Sequence, residues 1–150
     1  MDEIILSKLE KNNKTHLIKQ DGQWLLGTKT ILIVHTEPID NFTDGSLNGL
    51  ELLGIGKYSI QLDETDIYIL TFLNETHNQN EYVIVPRKDL LNRINQFNEL
   101  NGNINIRLWL TKDYKLMESF GCGAEGEFMA LWLDKKRDFT EFLNNWSIKE

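Results

Sequence analysis

Cysteine is almost missing from this chain: Cys122 is the single instance in 150 residues. One thiol closes no internal disulfide, which predicts a reducing compartment and makes the cytoplasm the expected location. Proline is nearly as scarce. Pro38 and Pro86 are its two instances, and each ends an apolar run. No apolar stretch approaches the roughly 20 residues that span a bilayer, so no membrane association is expected. The opening MDEIILSKLEKNNK lacks the basic start and long apolar region of a secretory signal. Positive charge is also short. Sixteen Lys and Arg stand against 23 Asp and Glu, for a net charge of -7. The densest basic run, Lys135-Lys136-Arg137, reads as a solvated helix entrance. That balance argues against broad, sequence-independent coating of nucleic acid, which needs a basic stripe. It leaves open a nuclease, whose metal site needs carboxylates, and it suits a basic protein partner.

Several chemical motifs are absent as well. There is no phosphate-binding Gly-x-x-x-x-Gly-Lys-Ser/Thr. Gly121, Gly123 and Gly126 have the spacing of a dinucleotide loop but precede an expected strand, where that motif requires a helix. No Cys or His pair has zinc-ligand spacing. Cys122 lies between adjacent glycines, whereas a nucleophile elbow places them two residues away on either side. His16, His35 and His77 are all distant from it in the chain. The stretch SFGCGAEGEF therefore reads as a glycine-rich hairpin between DYKLMESF and EFMALWL.

What is present is an ordinary supply of apolar and aromatic residues, enough for one core in one domain spanning 1–150. Ile4, Ile5 and Leu9 have helical spacing and predict a helix over 2–11. Asp21-Gly22 predicts a tight turn between THLIKQ and QWLLG. KTILIVHTE, at 29–37, is apolar almost throughout, as in a strand buried on both faces. The segment 39–49 reads as loop. Strands follow at 56–62, 66–74 and 81–85, and then an amphipathic helix over 87–100, with Asn101-Gly102 as its stop. NINIRLWL, at 103–110, alternates cleanly and pairs with DYKLME; EFMALWL, at 127–133, is a further strand. Asp138 and Glu141 suggest a capping box opening a last helix over 138–148, with Phe139, Phe142, Leu143 and Trp146 on its buried side. The fold class expected is α+β, with a mixed or largely antiparallel central sheet and three helices.

The candidate sites are few. Asp63, Glu64 and Asp66 cluster at an expected strand turn, where oxygen ligands could hold a hard cation or form a plain acidic turn. Asp40 and Asp44 carry the same ambiguity. Trp109 shares a strand face with Arg107 and Asn105, so Arg107 and Trp109 are candidates for a partner surface. His35, inside an apolar strand, is either a core histidine or a site residue.

The stretch DIYILTFLNETHNQNEYVIVPRKDLLNRI resembles the second half of the restriction-endonuclease-like fold, the PD-(D/E)XK superfamily. The likeness rests on Asp66-Ile67-Tyr68, on Tyr82-Val83-Ile84-Val85-Pro86 and on Asp89-Leu90-Leu91, and covers about half the chain. It implies a nuclease-like scaffold from a bacterial or phage defence context, with Mg²⁺ held by an Asp ahead of one strand and by Glu-x-Lys on the next. The catalytic letters are incomplete. After Asp21 the following strand offers Ile33-Val34-His35, and in YSIQLDE the acid and lysine positions are Gln61 and Asp63. On this resemblance Asp21, Asp63 and Asp66 are the metal-contact candidates and nucleic acid is the partner. The competing expectation is an acidic protein-binding module, of the immunity or anti-defence kind, that occupies a basic partner surface.

Overall fold

In the computed structural model the residues described are 2–36, 45–47, 50–61, 63–74, 77–93, 99–100, 103–111, 114–118 and 137–148. Helix α1 (Asp2–Asn13) comes first, and Ile5 and Leu9, one turn apart, are its fully buried positions. Strands β1 (Leu17–Gln20), β2 (Gln23–Leu26) and β3 (Lys29–His35) follow as an antiparallel meander. Asp21 and Gly22, at φ of 52° and 78°, make the first turn in the doubly left-handed form that Asp-Gly favours. Next come β4 (Gly45–Leu47), β5 (Leu50–Gln61), β6 (Ile67–Asn74) and β7 (Gln79–Pro86). Among the described residues, helix α2 (Arg87–Arg93), strands β8 (Glu99–Leu100), β9 (Asn103–Thr111) and β10 (Leu116–Glu118) and a short 3-10 turn, Thr140–Phe142, complete the regular elements.

The chain is α+β, but it builds two sheets rather than one. The first has the order β1-β2-β3-β6-β7 and is mixed, because β3 and β6 run parallel. The second, β10-β9-β5-β4, is antiparallel, with β8 also on β9. The mixed sheet is covered on both faces. Tyr68, Leu70, Phe72, Val83 and Val85 share one core with Tyr58 and Ile60 of β5 and with Ile104, Ile106, Leu108 and Leu110 of β9. Ile67, Ile69, Tyr82 and Ile84 point the other way, into a core with Ile5 and Leu9 of α1 and with Trp146. Two covered faces explain why IYILTF is apolar without alternation, for every residue in it is buried. Each such side chain contributes about 1.5–3 kcal/mol by leaving water.

Four expectations need correction. The middle helix is described over Arg87–Arg93 and does not run to 100, because 99–100 form a strand against Asn103 and Ile104. Asn-Gly is a hairpin dipeptide as well as a helix stop, and here the residues flanking it pair. The last segment is not a helix over 138–148. Phe139 and Phe142 belong to the core between the sheets, while Trp146 belongs to the core under α1. A helix would bring these side chains to one face. The chain instead crosses the β7 edge of the mixed sheet, where Leu143 bridges Val83 and the Asn144 N–H donates to the Tyr82 carbonyl at 2.6 Å. The expected loop at 39–49 contains β4, antiparallel to the first residues of β5. His35 is neither core nor enclosed; it is exposed at the end of β3.

Candidate functional site around Glu81

The carboxylates expected to share a metal do not converge. Asp21 turns the β1–β2 hairpin at the end opposite to Leu26 and Lys29, whereas Asp66 bonds Thr30. The Asp66 carboxylate accepts the Thr30 N–H at 2.9 Å and the Thr30 hydroxyl at 3.1 Å, tying β6 to β3. Asp63 accepts the Thr65 N–H at 2.8 Å and the Tyr68 hydroxyl at 3.0 Å. Partial burial pushes the Asp63 carboxyl up, but the bonds from Thr65 and Tyr68 outweigh it and hold the group below the usual carboxylate range. Among the described residues no group of three or more His, Cys, Asp or Glu side chains is placed to hold a metal ion.

The proposed partner surface is also not assembled. Trp109 is only 2% exposed. In the ladder it lies between Gly54, which has no side chain, and Met117, so there is room for the indole to lie in against the sheet. Arg107 is half-buried on the same strand. Cys122, Asp40, Asp44 and the glycine-rich stretch 121–126 lie outside the described residues.

Glu81 and Glu118 are both fully buried; Glu118 pairs with Arg137, whereas Glu81 stands at the head of an apolar strand. It is in phase with Val83 and Val85, and so points into the core between the sheets at 0% exposure. Oε1 accepts Gln79 Nε2 at 2.5 Å and, more loosely, Asn74 Nδ2 and the Tyr114 hydroxyl at 3.4 Å each. Oε2 accepts Asn144 Nδ2 at 2.6 Å. Asn144 cannot be turned round, because its Oδ1 already accepts the Tyr82 N–H at 3.0 Å. Three parts of the chain therefore meet on one carboxylate: the β6–β7 hairpin, the approach to β10 and the closing segment.

Two further features mark the place. His77 stacks on the Tyr114 ring, with centroids 5.6 Å apart and planes at 25°. Burial raises the Tyr114 hydroxyl above its ordinary ionisation range, and the Glu81 charge and hydrogen bond raise it further. Asn78, Tyr114 and Asn144 all have left-handed backbone, at φ of 48°, 61° and 51°. Asn tolerates this conformation; for a bulky Tyr it costs about 1–2 kcal/mol and persists only where surrounding contacts enforce it. No protein-family model matches the chain, and neither a characterised protein nor a solved structure is significantly similar to it.

The sequence carried a signal for this site. Tyr68, Leu70 and Phe72 set an inward stripe that continues to Asn74, and Val85 and Val83 set one that continues to Glu81. Polar residues in phase with core positions on two paired strands mark a buried polar network.

Proposed function

We propose that this chain is an acidic protein-binding module that occupies a basic surface of its partner, in the manner of an immunity or anti-defence protein. The observation that carries this reading is the use of Asp63 and Asp66. Asp63 closes a structural turn through Thr65 and Tyr68, Asp66 ties β6 to β3 through Thr30, and Asp21 is at the far end of a hairpin. Charge supports the same reading. Of the surplus of seven acids, the described residues carry two (14 acids against 12 bases) and the remaining segments carry five (9 against 4). An acidic surplus of this kind raises association rates with a basic partner and makes them salt-dependent.

The competing reading, a restriction-endonuclease-like domain using Mg²⁺, makes the opposite prediction about metals. Melting of the purified chain is measured with and without Mg²⁺, Mn²⁺ and Ca²⁺. Specific binding to the folded state raises Tm by mass action. The binding module keeps one Tm in all four conditions. A rise with Mg²⁺ or Mn²⁺ that is lost in Asp63→Asn defeats it in favour of the nuclease.

A further inference from the structure

We propose that the Glu81 cluster is a receptor for the guanidinium group of an arginine side chain on the basic protein partner; the choice of occupant rests on the binding-module reading above. Glu81 is fully buried, and its partners among the described residues are Asn74, Gln79, Tyr114 and Asn144, all of them neutral. Taking a carboxylate out of water costs several kcal/mol even after relaxation, and neutral donors supply no counter-charge. A cation that reaches Glu81 meets an opposite charge in a medium of low dielectric, where the attraction is strong.

The carboxylate is buried but lies directly beneath the surface. Gln79 and Asn144, which cover its two oxygens, are both exposed. Asn144 is fixed by Tyr82, whereas among the described residues the Gln79 amide bonds Glu81 and, at 3.3 Å, the Tyr114 hydroxyl. Turning the Gln79 amide outward breaks no ladder contact and leaves Oε1 with two bonds of 3.4 Å, the weakest-held acceptor in the cluster. The His77–Tyr114 ring pair stands beside it, with His77 exposed. A guanidinium can present its donors to a carboxylate while its plane rests on an aromatic face; an ammonium has no such plane. The arrangement therefore selects arginine over lysine.

The test is an NMR titration of the full chain with N-acetyl-arginine methylamide, and with the lysine counterpart, followed at the side chains of Gln79, His77 and Tyr114. The arginine probe is expected to give saturable shifts, with the lysine probe at least about threefold weaker. Glu81→Gln removes the response. Gln79→Ala, which takes away only the exposed cover, tightens the arginine probe about twofold to fivefold. No saturable shift in the native chain, an undiminished response in Glu81→Gln, or a weaker response in Gln79→Ala overturns the proposal. If Glu81→Gln does not fold, Gln79→Ala decides alone, with tightening in favour and anything else against. A melting shift with Mg²⁺ defeats the binding-module reading whatever the probe does. Metal indifference together with no probe binding defeats the Glu81 receptor alone.

Discussion

Glu81 and the Asp63–Asp66 turn put carboxylates in opposite settings. At the turn both aspartates are exposed: Asp63 holds Thr65 and Tyr68 close by in the chain, and Asp66 holds Thr30 on the adjacent strand β3. Water can take over most of what they do. Glu81 has no such recourse, for it is fully buried, and its own hairpin and two distant stretches of chain point donors at it. The acids that crowd together in sequence thus make exposed ties, one within a turn and one to a neighbouring strand, while the isolated acid inside an apolar strand gathers three parts of the chain under cover. Density of like residues was the weaker guide; a polar residue in phase with a core stripe was the stronger.

The comparison can be pressed first at Glu81. Glu81→Ala strands the donor of the buried Asn74, releases the tie to Asn144 and opens a cavity, an expected loss of about 3–5 kcal/mol in urea unfolding. A loss below about 1 kcal/mol breaks the contrast. Asp66→Ala comes next. It deprives the Thr30 N–H and hydroxyl of their acceptor at an exposed site, and the expected loss is about 1 kcal/mol.

Smaller effects are read by pH. The Asp63 carboxyl is held below its ordinary value of 3.8, so its contribution is present above that pH and fades as pH falls below it. Asp63→Asn is expected to flatten this acid limb of the stability curve; an unchanged limb places the acid sensitivity elsewhere. At the alkaline end the sign reverses. Burial raises Tyr58, Tyr68 and Tyr114 above the ordinary value of 10.0, so the stability they confer is intact below that pH and is lost as pH climbs through the raised values. The smallest effect separates the two regions directly. Removing the charge in Glu81→Gln is expected to lower the pH at which Tyr114 ionises, followed by its ring resonances, while Tyr68, whose partner is Asp63, stays where it is.

Much of the strand pattern was legible because period and turn chemistry agree in it. Asp21-Gly22, the apolar runs of β6 and β7, and the alternation of Ile104, Ile106, Leu108 and Leu110 all fold as their local chemistry directs, whereas β3, expected to be buried on both faces, is mostly half-buried. The errors arise where tertiary demand overrides it. Phe139, Phe142 and Trp146 have helical spacing, but the cores they fill lie on opposite sides of one sheet. Glu99 and Leu100 complete a helical pattern, yet β9 offers them an edge. Trp109 alternates to an outward face that burial then closes. The Glu81 cluster was illegible as a unit because Asn74, Tyr114 and Asn144 share no sequence neighbourhood.

The parallel pairing of β3 with β6 has a consequence for synthesis. Parallel strands need a crossover, usually a helix, and here residues 36–66 carry β4 and β5 of the other sheet instead. On the ribosome β3, with its apolar Ile-Leu-Ile-Val run, leaves the tunnel well before β6 exists to cover its open side. β5 must in turn wait for β9. Closing such long loops slows folding, and an unpaired apolar edge invites association between nascent chains. The uncovered β3 edge is thus where nascent chains are expected to associate.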